Sequence, residues 1–166
     1  MIKKIFFTFL LLILLSVNSY SAGSSGSDSS GSAKTKTSYE KAVAYIKSAK
    51  KYEKKDKIKK ANKSYEKALK LLIKSNKKKP NNPDTLNYLG FTTRKLGDYE
   101  GGEKFYLEGL AIEPNHIGIN EYLGELYVVT NRISLAKERL KILENCNCEE
   151  YILLKEIIDG VRKSKY

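Results

Sequence analysis

Residue types that build reactive centres are scarce in this chain of 166 residues, which has one histidine, two cysteines and no tryptophan. Metal centres and acid–base sites draw on several histidine, cysteine or carboxylate side chains held close together. The sequence offers neither a nucleophile–base pair nor a set of ligands with the spacing of a metal site. The composition therefore argues against an enzyme and against a bound cofactor.

Long apolar runs are also rare, and the one that stands out lies at the N-terminus. Lys3 and Lys4 precede an apolar run from Ile5 to Val17, and small residues follow it. This order is typical of a secretory signal peptide, and the run is short of the roughly 20 residues that span a bilayer as a helix. We predict a signal peptide over residues 1–22 and an exported, periplasmic protein. The alternative is an uncleaved segment that anchors the chain in the inner membrane.

Large apolar residues are missing from residues 23–38, which consist mainly of Gly, Ser and Thr. Such a segment has nothing to bury and behaves as a flexible linker. Helical periodicity begins after it, so we assign residues 39–166 to the folded domain.

Acidic residues are few in the first part of that domain. Residues 33–79 hold 18 lysines and four acidic residues, a formal charge of +14, whereas residues 80–166 carry −3. A concentrated basic surface attracts phospholipid headgroups or other polyanions, and export argues against nucleic acid. The alternative is that these lysines only solvate a helix surface. The densest cluster, a candidate anion-binding patch, consists of Lys54, Lys55, Lys57, Lys59 and Lys60.

An internal repeat organises the rest of the chain. The tripeptide Tyr-Leu-Gly at residues 88–90 recurs at residues 122–124, an offset of 34, and the same offset pairs Gly102 with Ala136. A two-helix unit of this length resembles the tetratricopeptide repeat (TPR). The positions that agree with the family pattern are Tyr45, Ala49, Tyr52, Ala61, Tyr65, Ala68, Leu86, Leu89, Gly90, Gly102, Tyr106, Gly109, Pro114, Leu123, Gly124, Tyr127, Ala136 and Leu140.

The resemblance implies an all-α solenoid of about three TPR-like helix pairs. The pairs span about 42–79, 83–116 and 117–148, and the second helix of the first pair is extended by seven residues. Leu154, Ile157, Ile158 and Val161 then recur at helical spacing, which predicts a C-terminal capping helix over 149–164. The alternative is that this helix begins a fourth unit or docks a partner.

Glycines within the helices fit this arrangement, although each costs roughly 1 kcal/mol relative to alanine. Gly90 and Gly102 stand where helices of such pairs approach closely, and Gly97-Asp98 predicts the turn between two helices, with Asp98 as the N-cap. The sequence offers no reason for Gly101.

The resemblance also implies a function, because ligands of this family usually lie in the concave groove formed by the first helices. We therefore predict an exported, non-catalytic adaptor that binds a protein or peptide and scaffolds an envelope complex. The alternative is electrostatic binding to an anionic surface through the lysine-rich first repeat. Ile46 and Lys50 stand where some members grip a peptide carboxylate with Lys and Asn, so that clamp is not expected. The groove positions are Ile46, Lys50, Glu53, Asn87, Phe91, Arg94, Lys95, Glu121, Glu125 and Val128.

Cys146 and Cys148 form the one reactive-looking motif, a pair separated by a single residue. In an oxidising compartment the two thiols either join each other or link two chains. The lone His116 lies at a repeat junction without a catalytic constellation, and we interpret it as a polar loop residue.

Overall fold

The computed structural model describes residues 36–164, which fold into seven α-helices joined by short turns, without a strand. The predicted all-α class, a solenoid of helix pairs, is confirmed. The predicted signal peptide and most of the predicted linker lie outside the described residues. The helices are α1 (Ser38–Glu53), α2 (Ile58–Lys78), α3 (Pro83–Lys95), α4 (Tyr99–Ile112), α5 (Ile117–Val129), α6 (Ile133–Leu143) and α7 (Glu149–Ile158).

The helices pack as successive pairs, α1 with α2, α3 with α4 and α5 with α6. α2 packs on α3 and α4 on α5, so that each pair rests on the next. α2 has 21 residues and α4 has 14, so the first pair carries the expected extension. Each pair presents apolar side chains to its neighbours, and stacking is what buries them.

Side chains at the helix starts satisfy backbone N–H groups that have no partner within the helix. Thr37 forms a capping box with Glu40 before α1, and Asn82 accepts from a backbone N–H at the start of α3. Asp98 does the same for α4, directly after Gly97, whose φ of +98° favours glycine. The turn predicted at Gly97-Asp98 is therefore confirmed.

The glycines at the crossing of α3 and α4 allow close approach, as predicted. A Cβ atom on Gly102 would lie 3.0 Å from the Gly90 carbonyl oxygen, and one on Gly90 would lie 2.5 Å from the Tyr106 ring. Gly101 has a different reason, which the sequence did not reveal. Its N–H donates to the Asp98 carboxylate at 2.8 Å, and a Cβ there would collide with that capping group.

α7 packs on α5 and α6 at the end of the stack. Leu154 is fully buried, and its methyl groups fill the space left by Gly124 of α5. The helix ends at Ile158, before the predicted end at residue 164, because Gly160 adopts a φ of +73°. Val161, assigned to the apolar stripe from the sequence, lies beyond this turn and is 79% exposed. None of the helices from α1 to α7 is long and apolar enough to cross a membrane.

Candidate functional site

A groove of about 630 Å³ runs along the first helices of the three pairs and along α7. Each of these helices contributes side chains to it, so α7 takes the place of a fourth first helix. We call this surface the groove. Its lining residues are Lys50, Glu53, Lys54, Ile58, Phe91, Lys95, Glu121, Tyr122, Glu125, Glu150, Leu153, Ile157, Arg162 and Lys163.

An aromatic cluster forms the floor of the groove. The Phe91 ring is buried, with its centroid 5.0 Å from that of Tyr122 and 5.9 Å from that of Tyr65. The Lys50 ammonium lies 4.5 Å from the centroid of the Phe91 ring and 3.4 Å from the Tyr122 hydroxyl oxygen. This placement stabilises the cation over aromatic faces and joins α1, α3 and α5 across the groove.

Arg94, which the repeat pattern assigns to the groove, is buried between α3 and α5 instead. Its side chain is fully covered, and one guanidinium nitrogen donates to the Tyr122 carbonyl oxygen at 2.7 Å. Another donates to the Glu125 carboxylate at 3.1 Å. The long side chain reaches the next helix because the helices are close together, and there it acts as a structural link between two repeats.

Lys95 and Glu53 form a second link, between α3 and α1. The Lys95 ammonium lies 2.5 Å from a Glu53 carboxylate oxygen, and the Tyr65 hydroxyl donates to the same carboxylate at 2.9 Å. Burial, with the Glu53 charge, raises the pKa of Tyr65 above its usual value. The hydroxyl therefore stays protonated and keeps donating throughout the ordinary pH range.

Glu121 is the unusual titratable group of the groove. The residue is only 6% exposed, yet its carboxylate has no hydrogen-bond or ion-pair partner among residues 36–164. Burial raises the pKa of Glu121 to about 8, and the nearby charges of Glu125 and Glu150 add to the effect, while Lys50 and Arg94 oppose it. A buried carboxyl group with this pKa is mostly protonated at pH 7.

The other groove positions expected from the sequence divide into two sets. Ile46 lies in the apolar core, and Val128 packs against the second core cluster. Asn87 is 7% exposed and does not line the groove; its side-chain amide faces Gly118 at the start of α5. The expected positions that do line the groove are Lys50, Glu53, Phe91, Lys95, Glu121 and Glu125.

Sequence reasoning missed the contribution of α7. Counted from the helix starts, Leu153 and Ile157 of α7 occupy the positions that Glu121 and Glu125 occupy in α5. The alternative given above, that this helix begins a fourth unit, would have assigned both residues to the groove. Tyr122 was missed as well, because its Tyr-Leu-Gly motif was used only to identify the repeat.

The candidate anion-binding patch lies around the turn between α1 and α2. All five of its lysines are exposed, and Lys54 also lines the groove. The patch and the groove are therefore neighbouring surfaces.

The remaining reactive side chains have structural roles. Cys146 and Cys148 form a disulfide in the turn before α7, and Cys148 is the N-cap residue of that helix. His116 caps α5 by accepting the Ile119 N–H at 3.1 Å, and its other ring nitrogen lies 3.2 Å from the Asp84 carboxylate. In the part of the chain that the structure describes, no group of three His, Cys, Asp or Glu side chains could hold a metal ion.

Comparison with known proteins identifies the fold. The sequence matches no protein-family model and no curated protein. Among solved structures, the chain is similar to the first TPR of Spaghetti (RPAP3) bound to the HSP90 peptide SRMEEVD, with a TM-score of 0.53 and 18% identity. The match covers 74% of this chain and 96% of that chain. The likeness shows that this chain has the fold of a tetratricopeptide-like solenoid.

Proposed function

We propose that this protein is a non-catalytic adaptor that binds a peptide segment of a partner protein in the groove. The observation that carries the proposal is the groove itself, an open concave surface of about 630 Å³ with an aromatic floor and charged walls. Apolar surface with a few placed polar groups is what peptide recognition requires. The similar structure holds a peptide, which supports this proposal.

Selection from a random peptide library on the immobilised full chain tests the proposal. We expect peptides that bind the native chain and lose binding, by tenfold or more, when Leu153→Arg introduces a charge into the groove. Leu153 is preferred over Asn87, Phe91 or Arg94, because truncating those buried residues would unfold the protein.

Ile152→Arg is the matched control, since it places the same residue on the same helix outside the groove, where Ile152 is 55% exposed. Equal binding to both variants and to the native chain would contradict the groove as the site.

A second candidate function is electrostatic binding to an anionic surface through the patch of Lys54, Lys55, Lys57, Lys59 and Lys60. The exposure of all five lysines around one turn favours it. Binding to vesicles that contain anionic lipid should then disappear at moderate salt, because exposed charges are screened within about 10 Å at 0.1 M ionic strength. Binding that persists in high salt, or after all five lysines are replaced by glutamine, would exclude this function.

We propose export to the periplasm, where the adaptor would scaffold an envelope complex. The basic, apolar and small-residue order of residues 1–22 supports export, and the Cys146–Cys148 disulfide suits an oxidising compartment. N-terminal sequencing of the protein recovered from a periplasmic fraction tests both statements. A chain that retains residues 1–22 in the membrane fraction would favour the anchored alternative.

A further inference from the structure

The groove holds a largely covered carboxyl group whose natural complement is a cation. Glu121 is 6% exposed, lines the groove, and pairs with no donor within residues 36–164. Covered polar groups are almost always hydrogen-bonded, and a largely covered carboxyl group that lines an open groove can receive its donor from solvent or from a ligand. A ligand bound in the groove can reach the Glu121 carboxyl group with a hydrogen-bond donor.

Neighbouring side chains do not meet this need. The Glu125 carboxylate is already tied to Arg94 across α3 and α5. The Lys50 ammonium lies over the Phe91 ring and near the Tyr122 hydroxyl. The nearby cations are thus held by other groups.

The charges around Glu121 favour a cationic ligand group over an anionic one. Glu125 of α5 and Glu150 of α7 both oppose a negative charge on Glu121, and both line the groove. A basic side chain placed among these carboxylates would offset their mutual repulsion and would make charge-assisted hydrogen bonds.

We propose that the Glu121 region of the groove receives a lysine or arginine side chain of the bound peptide, with Glu125 and Glu150 beside it. This inference rests on the proposed peptide-binding function and names the chemistry that the partner must carry. It also differs from a clamp on a peptide carboxylate, because the unmatched group here is an acid and the ligand group is a base.

Binding of such a cation should also move a proton. The pKa of Glu121 is raised to about 8 by burial, with Glu125 and Glu150 adding to the effect and Lys50 of α1 and Arg94 of α3 opposing it. The free protein therefore carries a largely protonated Glu121 at pH 7. A cation beside Glu121 favours its ionised form, so binding of a basic peptide at pH 7 should release a proton from Glu121. The amount released per bound peptide should approach one proton and equals roughly the fraction of Glu121 that is protonated in the free protein.

The test uses peptides selected on the full chain from a random 12-residue library. We expect lysine or arginine to be enriched at one fixed position among the peptides that Leu153→Arg abolishes. The best arginine peptide is then compared with a copy that carries citrulline there, which keeps the shape and removes the charge. Affinity should fall about tenfold or more with citrulline.

Glu121→Gln supplies the second arm. This variant should prefer the arginine peptide over the citrulline peptide clearly less than the native chain does, with Glu125 and Glu150 keeping part of the preference, whereas the control Glu108→Gln, at an exposed residue of α4, should discriminate like the native chain. Titration calorimetry in phosphate and in Tris at pH 7 should show proton release when a chain that retains Glu121 binds the arginine peptide. It should show none for Glu121→Gln or for the citrulline peptide. Circular dichroism of each variant verifies its fold.

The outcomes separate the two proposals. Groove-dependent peptides that tolerate citrulline, or that show no fixed basic position, overturn the cation site and leave peptide binding intact. A library without a single peptide sensitive to Leu153→Arg overturns the proposed function, and the cation site with it.

Discussion

The first helix pair and the α3–α5 wall of the groove hold their charges in opposite ways. α1, α2 and the turn between them carry most of the excess lysine, and the five lysines of the patch are exposed to solvent. α3 and α5 carry few charges, yet Arg94, Glu121 and Glu125 are all at most 6% exposed. A charge in water interacts weakly with its neighbours, whereas the same charge in a covered site changes stability and ligand choice. The charges that matter most for stability and ligand choice are therefore the few buried ones, and not the many exposed lysines.

The largest effect is expected where a buried pair is broken. Arg94→Met leaves the Glu125 carboxylate covered and without its guanidinium partner. We expect the free energy of unfolding to fall by about 3–5 kcal/mol, measured by urea denaturation. Arg162→Met removes an ion pair whose arginine side chain is 41% exposed, and it should cost at most about 1 kcal/mol. Similar losses from the two variants would contradict the contrast between buried and exposed charges.

A smaller loss is expected where α3 and α4 approach each other. A Cβ atom on Gly102 would meet the Gly90 carbonyl and the Arg94 backbone nitrogen at 3.0 and 3.3 Å, so Gly102→Ala must push the two helices apart. The net cost should be about 1–2 kcal/mol, because overpacking costs typically about 1–3 kcal/mol and alanine returns up to about 1 kcal/mol in helix propensity. The neighbouring change Gly101→Ala disturbs only an exposed cap, and the gain in helix propensity offsets that loss within about 1 kcal/mol. Thermal unfolding of the two variants checks the difference.

A gain of stability is expected from Glu121→Gln at alkaline pH. The folded-state pKa of Glu121, about 8, lies above its usual 4.5. The protonated form of Glu121 is favoured by folding, so its contribution to the free energy of unfolding is fully present below pH 4.5 and is lost as the pH rises through 8. Glutamine does not ionise, so the stability of the variant relative to the native chain should rise by about 2 kcal/mol or more from pH 6 to pH 9, because the native chain loses about 1.4 kcal/mol per pH unit while only the unfolded carboxyl group is ionised. Urea denaturation at both pH values measures this, and a pH-independent difference would exclude a raised pKa.

The smallest effect is expected from the exposed patch. Replacing Lys54, Lys55, Lys57, Lys59 and Lys60 together by glutamine should change the free energy of unfolding by no more than about 0.5 kcal/mol, as is usual for surface changes. The same variant should keep its groove peptides, except for any contact made through Lys54. A loss of several kcal/mol would mean that these lysines are part of the folded structure.

Much of the fold followed from local patterns in the sequence. The 34-residue offset, the small residues at the crossings and the Gly97-Asp98 turn each depend on nearby residues and on a fixed helical period, so they were predictable. The groove was predictable only in part. Phe91 and Lys50 were assigned to it because they hold repeat positions, whereas Arg94 was misplaced there, because its long side chain turns inward to a neighbour 28 residues later in the chain.

The amino-acid sequence alone determined the helices, the turns between them, the repeated helix pair and the concentration of lysine in the first pair. Helical periodicity and capping need no knowledge of distant neighbours, so the amino-acid order is enough to establish them. Tertiary packing, in contrast, selected which charges are covered and allowed α7 to complete the groove. Burial depends on how closely helices distant in sequence pack together, and the unmatched Glu121 carboxylate exists only once α1, α3, α5 and α7 surround it.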